Sequence, residues 1–215
     1  DDEYKSMLSS EIRDALTYTE KYPMTGASTE YAGSPWTLRA LPFSTGSLVY
    51  SLQSLILQPL AMGIAVRASK FVNKAENFIY RKARIYAETI GKGEVVTQVI
   101  VNGRELKGTL QIPESYLRSG KNHIQITGGV SFDRPRLYSS SVVLNDIMIE
   151  ESKTEYVFDC VSEADLVFEN LQDRNRLNIY DSEGKSIEYT LCEVPGTNKT
   201  VAGFTASGMI KAVLS

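Results

Sequence analysis

The spacing of apolar residues changes once along the chain, near residue 77. Over residues 2–20, apolar side chains recur every three or four positions, which predicts an amphipathic helix. Residues 21–47 carry several prolines and glycines, which predict a long irregular loop. Residues 47–66 are rich in leucine and predict a second, mostly buried helix that ends or kinks at Pro59. Residues 1–77 are therefore predicted to form a helical segment with a long loop.

From residue 78 to the C-terminus, apolar and polar residues alternate with a period of two, which predicts β-strands. Asn102-Gly103 predicts a tight hairpin because both residues tolerate positive φ angles. No helices alternate with these strands, so parallel βαβ units are not expected. The predicted fold is mostly β: an antiparallel β-sandwich over residues 78–215, preceded by a short two-helix segment. The expected strands cover residues 79–90, 95–101, 106–112, 123–127, 142–149, 156–160, 164–168, 177–180, 187–192, 200–204 and 209–214.

The first strand of the predicted sandwich carries two different faces. Alternation places Ile79 and Ile85 on one face, and Tyr80, Arg84 and Tyr86 on the other. The second face is open to two interpretations. It is either a binding strip, or an outer face of the sandwich that is solvated or covered by another domain.

Residues 95–126 resemble the C-terminal β-sandwich that follows an (α/α)-barrel in several bacterial and archaeal glycoside hydrolases. The shared features are a strand, the Asn-Gly hairpin, a strand ending in Ile-Pro, a short helical turn over residues 113–117, and a G-x-N-x-I-x-I strand at residues 120–126 (GKNHIQI). Residues 33–56 resemble the last loop and helix of such a barrel. The resemblance implies the accessory C-terminal region of a carbohydrate-active protein, which packs on a catalytic domain and helps to bind glycan.

The same resemblance implies that this chain is not catalytic by itself. The two helices predicted before the strands are far fewer than a full barrel requires, so a catalytic carboxylate pair would be incomplete. Whether the chain is part of a glycoside hydrolase stays open. Two further alternatives are an independent glycan-binding or protein-binding β-sandwich, and a structural subunit of an assembly.

Four residues of the irregular loop are candidates for substrate binding. Tyr31 and Trp36 offer aromatic faces for the apolar side of a sugar ring, and Glu30 and Arg39 offer charged groups for its hydroxyls. The alternative is that both aromatic rings fold into the core while the two charged side chains are solvated. These residues predict an oligosaccharide or polysaccharide as one partner. The resemblance implies a second partner, a missing catalytic domain or another subunit.

Charge and hydropathy narrow the partner classes. The chain of 215 residues has 23 Lys and Arg against 26 Asp and Glu, a net charge of -3. No overall positive field attracts a phosphate backbone, so nucleic acid is not a predicted partner. The longest apolar run, residues 48–66, is interrupted by serine, glutamine, proline and glycine, so no membrane span is predicted.

No cofactor or metal site is predicted from the sequence. The Gly-Lys-Gly at residues 91–93 is a turn between strands, without the helix that a phosphate-binding loop needs. His123 is the only histidine and is predicted to be a structural or surface residue. The acidic runs lack the spacing of a calcium loop. Residues 133–136 (DRPR) predict an exposed, charged loop.

Cysteine usage and the first residues leave the compartment open. Cys160 and Cys192 are predicted to be free and buried, with a disulfide as the alternative. The sequence begins Asp1-Asp2 without Met, so either a signal was removed or the chain is a piece of a longer protein. Under the carbohydrate interpretation the location is extracellular or periplasmic, and the oligomeric state is not predicted.

Overall fold

The computed structural model describes residues 55–173 and 176–215. Within these residues the chain forms sixteen β-strands and one 3-10 helix, Glu114–Tyr116. The strands are β1 (Leu57–Leu60), β2 (Gly63–Val66), β3 (Lys74–Tyr80), β4 (Ala83–Gly91), β5 (Val95–Val101), β6 (Arg104–Leu106), β7 (Gln111–Pro113), β8 (Gly120–Gly129), β9 (Arg136–Ser140), β10 (Val143–Ile149), β11 (Thr154–Cys160), β12 (Glu163–Glu169), β13 (Leu177–Asp181), β14 (Thr190–Glu193), β15 (Lys199–Thr205) and β16 (Gly208–Leu214).

The strands form four sheets. The hairpin sheet has the order β1-β2-β7, and the five-stranded sheet has the order β3-β4-β8-β5-β6. The β11 sheet has the order β10-β11-β16-β13, and the β12 sheet has the order β14-β15-β12-β9. Buried apolar residues from all four sheets form one hydrophobic cluster. The prediction of a mostly β fold built from antiparallel sheets is confirmed.

The described part of the predicted second helix is a β-hairpin, and this prediction is wrong. β1 and β2 pair antiparallel, and β2 also pairs with β7. Every residue of β2 is buried, so this part of the apolar run has no solvent face whose period could distinguish a helix from a strand. Gly63, with φ 143°, begins β2 where a β-carbon would lie 2.3 Å from the Ile112 carbonyl oxygen. The burial expected here is confirmed for Leu55 and Ile56.

The rest of the predicted helical segment, residues 1–54, lies outside the described residues. Strands β1 and β2 and the start of β3 precede residue 78. The division into residues 1–77 and 78–215 stays a prediction. Among the described residues no helix is long and apolar enough to cross a membrane.

A tight turn breaks the strand that was predicted over residues 79–90. Arg81 has φ 51° and, with Lys82, joins β3 to β4. The turn reverses the inside and outside positions on its two sides, so Ile79 is 56 % exposed and Tyr80 is 7 % exposed. The Tyr80 hydroxyl instead accepts a hydrogen bond from the Gly63 N–H at 2.6 Å. The prediction that Tyr80 shares a face with Arg84 and Tyr86 is wrong.

The centre of the five-stranded sheet is a parallel pair. β4 and β8 run parallel over nine register positions, from Ala83 beside Gly120 to Gly91 beside Gly128. The connection between them consists of β5, β6, β7 and the 3-10 helix, so no crossover helix is used. The Asn102-Gly103 turn between β5 and β6 is confirmed, with φ angles of 52° and 85°. This parallel pair is an exception to the predicted antiparallel order.

The second half of the chain, from β9 onwards, forms the β11 sheet and the β12 sheet. β11 pairs with β16 in the β11 sheet, and β12 pairs with β15 in the β12 sheet. The predicted strands of this half are present, although the one expected over residues 187–192 is confined to β14. The exposed loop predicted at residues 133–136 is wrong at its last residue, because Arg136 begins β9 and is 4 % exposed.

The buried Arg136 side chain forms an ion pair within the β12 sheet and connects that sheet to the five-stranded sheet. Arg136 donates to the Glu169 carboxylate through Nε at 2.8 Å and Nη2 at 2.7 Å. Its Nη1 donates to the Val96 carbonyl in β5 at 2.6 Å, and its guanidinium lies 3.9 Å from the Phe132 ring centroid. Burial lowers the pKa of Arg136, and Glu169 opposes this shift. The guanidinium stays charged because its ordinary pKa is so high.

Backbone hydrogen bonds complete the contact between the halves. The Leu137 N–H donates to the Gly108 carbonyl at 2.8 Å, and the Leu110 N–H donates to the Leu137 carbonyl at 3.0 Å. The fully buried Tyr156 donates its hydroxyl to the Gly108 carbonyl at 2.6 Å, and burial raises the pKa of this hydroxyl. We call this contact region the joint: Val96, Gly108, Leu110, Arg136, Leu137, Tyr156 and Glu169.

Cys160 and Cys192 are both free thiols. Cys160 is buried in β11, as predicted. The predicted burial of Cys192 is wrong, since it is exposed on β14. β14 is the first strand of the β12 sheet and pairs only with β15, so it lies at the sheet edge.

Candidate functional site

The four residues predicted to bind substrate, Glu30, Tyr31, Trp36 and Arg39, lie outside the described residues. Their role stays a prediction. The other sequence candidate was the strip on the first strand of the sandwich, and the structure brings two of its members, Arg84 and Tyr86, to the outer face of the five-stranded sheet.

A shallow groove of about 430 Å³ crosses that outer face. It lies over β3, β4 and β8 and extends to β5 and the turn at Gly103. Because side chains alternate between the two faces of a strand, every second residue of β4 and β8 points towards the groove. We call it the outer-face groove; its lining includes Lys74, Glu76, Tyr86, Glu88, Ile100, Gly103, His123 and Gln125.

The floor of the outer-face groove carries two stacked rings. The parallel register places Tyr86 of β4 directly beside His123 of β8. Their ring centroids are 5.8 Å apart with an interplanar angle of 28°. Lys121, one step earlier on the same face of β8, extends its Nζ to 4.7 Å from the Tyr86 ring centroid. The two rings thus form a small aromatic platform that a lysine side chain partly covers.

Polar groups line the groove on one side of the platform. Gln125 donates its amide Nε2 to Glu88 Oε1 at 2.9 Å, between neighbouring positions of β8 and β4. At the edge strand β3, Lys74 pairs with Glu76, and this carboxylate raises the pKa of the Lys74 ammonium. The groove therefore offers amide, carboxylate and ammonium groups within one row or two of the aromatic platform.

Two asparagines hold the backbone around His123. Asn102, in the hairpin turn, accepts a hydrogen bond from the His123 N–H at 2.9 Å and donates its own backbone N–H to the His123 carbonyl at 2.8 Å. Asn122 is fully buried; its Oδ1 accepts from Asn102 Nδ2 at 2.9 Å, and its Nδ2 donates to the Arg118 and Gly120 carbonyls at 2.8 Å and 2.9 Å. These bonds fix the platform's position on the sheet.

A cationic row lies next to the aromatic platform. Arg84 and Lys121 are register partners on β4 and β8, two residues before Tyr86 and His123 respectively. Both are exposed. Neither forms an ion pair with another residue in the described ranges. In this part of the face the positive charges are not neutralised by a neighbouring carboxylate.

A second amide–carboxylate pair lies on β5 and β6 of the same sheet. Gln98 donates its Nε2 to Glu105 Oε1 at 3.0 Å, and this hydrogen bond is the main reason why the pKa of Glu105 lies below its usual range. Ile100 is the register partner of both Glu105 and Gln125. Across the sheet from β8 to β6, the apolar Ile100 therefore lies between the polar Gln125 and Glu105.

A second, larger groove lies on the outer face of the β11 sheet and has a different composition. It encloses about 660 Å³. Met148 and Met209 are 42 % and 56 % exposed there. Three of its charged residues form ion pairs, since Glu155 pairs with Lys153 at 2.9 Å and with Lys211 at 3.0 Å, and Asp181 accepts hydrogen bonds from the Glu183 and Lys185 N–H groups. This face is mainly aliphatic.

Neither groove assembles a metal centre. Over residues 55–173 and 176–215, no group of three or more His, Cys, Asp or Glu side chains is arranged to hold a metal ion. The side chains of the outer-face groove offer stacking, hydrogen bonding and charge attraction, which are the elements of ligand recognition.

Most of this site could not be identified from the sequence. His123 was predicted to be a structural or surface residue, and the structure places it on the surface beside Tyr86. Lys121, Glu88 and Gln125 were not singled out. The one signal in the sequence was the alternation of Tyr86 with polar neighbours; the partner strand was unknown without the parallel register.

The comparisons with known proteins leave the site without a relative. No family model, no curated protein and no solved structure matches this chain.

Proposed function

We propose that this chain is an accessory glycan-binding region of a carbohydrate-active protein, and that the outer-face groove contributes to glycan binding. The observation that carries the proposal is the stacked pair of Tyr86 and His123 beside the hydrogen-bonded Gln125 and Glu88. Aromatic faces pack against the apolar side of a pyranose, while amides and carboxylates exchange hydrogen bonds with its hydroxyls.

The shape of the groove is compatible with a saccharide chain. Its volume of about 430 Å³ falls in the range of about 300–1,000 Å³ that is typical of ligand sites. The lining comes from neighbouring strands of one sheet, so a bound chain can lie across the strands and extend beyond the groove. A regular sheet holds such side chains at fixed spacing, which lowers the entropy cost of binding.

The proposal assigns binding, and no bond cleavage, to this groove. Glycoside hydrolysis uses two carboxyl groups, placed on opposite sides of the scissile bond, one of which donates a proton. The groove's carboxylates are already engaged, Glu88 by Gln125 and Glu76 by Lys74. Cleavage would belong to a separate catalytic domain, as the resemblance of residues 95–126 implies.

The loop candidates enter the proposal as a second contact with the same glycan. Trp36 is the only tryptophan of the chain, so its fluorescence reports on that loop without interference. In the proposal, Tyr31 and Trp36 stack on sugar units, and Glu30 and Arg39 bind hydroxyls.

The test is affinity electrophoresis of the full 215-residue chain through gels that contain single polysaccharides. We expect retardation by at least one polysaccharide, and Tyr86→Ala or His123→Ala should weaken it about tenfold, as for an anchor residue at an interface. Tyr180→Ala is the matched control because Tyr180 is a half-buried tyrosine that lines the other groove. Circular dichroism verifies that each variant is folded.

Two results would contradict the proposal. If no polysaccharide retards the wild-type chain, the proposed glycan binding is wrong. If wild type, Tyr86→Ala and His123→Ala are retarded equally, the outer-face groove is not the binding site. A Trp36 fluorescence change that persists in those variants would then assign binding to the loop over residues 30–39.

A structural role is the second candidate function, and the exposed Met148 and Met209 favour it. Two large apolar side chains in one groove of a sheet face are typical of surfaces that pack against another protein. Under this alternative the partner is the catalytic domain implied by the resemblance. Met209→Lys would then abolish co-purification with that domain, whereas Tyr86→Ala would leave it unchanged.

A further inference from the structure

We propose that the outer-face groove selects acidic polysaccharides, whose uronate carboxylates bind at the Arg84 and Lys121 row. This inference rests on the proposed glycan-binding function and adds the chemical class of the ligand. It depends on three features of the face: two unpaired cations, the position of one cation over the platform, and carboxylates that are already engaged.

The first feature is the pairing of two cations by the parallel strands. Arg84 and Lys121 are neighbours in the register of β4 and β8, so two positive charges stand side by side at one end of the platform. Neither forms an ion pair with another described residue. Lys74, at the other end of the groove, is by contrast already paired with Glu76. An anionic ligand would therefore supply the counter-charge that this row lacks.

The second feature is the place of the Lys121 ammonium. It lies 4.7 Å from the centroid of the Tyr86 ring, over the surface on which a sugar would stack. A neutral sugar must displace this ammonium and forfeit its attraction to the ring. A uronate instead pairs its carboxylate with the displaced ammonium, so the cation–π contact is exchanged for a charge-assisted hydrogen bond.

The third feature is the polarity of the groove along the strands. Beyond the platform, away from the cationic row, Glu88 is held by Gln125 and Glu76 by Lys74. This end offers a carboxylate and an amide for sugar hydroxyls and disfavours a second anion. A uronate is thus oriented with its carboxylate towards Arg84 and Lys121 and its hydroxyls towards Gln125.

The preference is local, because the whole chain is slightly negative. A net charge of -3 gives no long-range attraction for a polyanion. Contact between exposed charges is screened by salt: the Debye length falls from about 30 Å to about 10 Å between about 0.01 M and 0.1 M ionic strength. Binding should therefore weaken with added salt only where Arg84 and Lys121 are present.

The experiment compares polygalacturonate with the same polymer after methyl esterification, which neutralises the carboxylates and keeps the sugar backbone. Affinity electrophoresis should show several-fold tighter binding of the wild-type chain to the acidic form. Lys121→Ala and Arg84→Ala should each weaken binding to the acidic polymer about two- to fivefold, the range of an exposed ion pair. Lys121→Arg should retain it. Lys185→Ala, an equal change of charge at an exposed turn outside this face, is the control.

The outcomes separate this inference from the proposed function. Equal binding of both polymers, or equal loss with Lys185→Ala, overturns the preference for acidic polysaccharides. Retention by neutral polysaccharides alone, still weakened by Tyr86→Ala, overturns the preference while it supports glycan binding. Binding of no polysaccharide by the wild-type chain overturns the proposed function itself. Tighter binding to the acidic polymer, lost with Lys121→Ala, supports both.

Discussion

The joint and the outer-face groove use the same types of side chain in opposite surroundings. In the joint, the Arg136 guanidinium lies 3.9 Å from the Phe132 ring centroid and is paired with Glu169. Beside the groove, the Lys121 ammonium lies 4.7 Å from the Tyr86 ring centroid and is exposed to solvent. Both are cations over aromatic rings. Their burial decides what each can do.

Because its charges are buried, the joint contributes to the stability of the fold. Because its charges are exposed, the groove is available to bind a ligand. A charge removed from water is tolerated only when its partners replace its hydration, so Arg136, Glu169 and the Val96 carbonyl depend on one another. An exposed cation loses little when it is alone, and it stays available to a ligand. The same type of substitution should therefore lower the free energy of unfolding much more in the joint than in the groove.

The largest effect is expected for Arg136→Met. It leaves the Glu169 carboxylate without its partner in the joint, and we expect the free energy of unfolding to fall by about 3–5 kcal/mol. Urea denaturation followed by circular dichroism measures this loss. The exposed counterpart, Arg84→Met, should change stability by less than about 0.5 kcal/mol.

The double variant Arg136→Met/Glu169→Leu tests the cause. Removing both charges should restore most of the stability, because no unpaired charge then remains. If the double variant is as unstable as Arg136→Met, the loss comes from packing against Phe132 and not from the ion pair. Equal effects of Arg136→Met and Arg84→Met would contradict the contrast between joint and groove.

An intermediate effect is expected for Asn122→Ala, beneath the groove. The change removes side-chain hydrogen bonds to Asn102, Gly120 and both backbone groups of Arg118 in a fully buried place. Leaving those groups without partners should cost about 1–3 kcal/mol. Thermal unfolding measures it, with the exposed Asn178→Ala as control.

Asn122→Ala also tests whether the support of His123 matters for binding. Asn102 would lose a side-chain partner, so the backbone around His123 would be less firmly held. Retardation in polysaccharide gels should weaken at temperatures where the variant is still folded. Unchanged retardation with reduced stability would show that Asn122 stabilises the fold and does not position the platform.

The smallest effect is expected for Glu155→Gln, on the outer face of the β11 sheet. Hydrogen bonds from Lys153 and Lys211 hold the pKa of Glu155 below its ordinary value of 4.5. A lowered pKa in the folded state stabilises the fold above that ordinary value, and this contribution is lost as pH falls through the folded-state pKa. Because both lysines are partly exposed, the contribution should be about 0.5–1 kcal/mol.

Denaturation curves at neutral pH and below pH 4.5 check this dependence. The difference between wild type and Glu155→Gln should be present at neutral pH and shrink in acid. Glu163→Gln, an exposed carboxylate at the start of β12, is the control. A difference that grows in acid would contradict the sign of the pKa shift.

The sequence by itself determined most of the strands and their inward faces. Alternation placed Ile85 on the face opposite Arg84 and Tyr86, and the structure buries Ile85 while it leaves Arg84 exposed. The Asn102-Gly103 turn followed from the tolerance of both residues for positive φ. These features are local, because side-chain direction and turn geometry depend on residues that are adjacent in the chain.

Only the tertiary structure decided where the sequence signals were ambiguous. The apolar run over residues 55–66 reads equally as a helix or a buried hairpin, and its pairing with β7 settles it. Arg136 reads as part of a charged loop, and only the approach of Glu169 makes its burial tolerable. The outer-face groove depends on the parallel pairing of β4 and β8, which joins Tyr86 to His123 across 37 positions in sequence. Such a pairing depends on how the whole core packs, which no local pattern encodes.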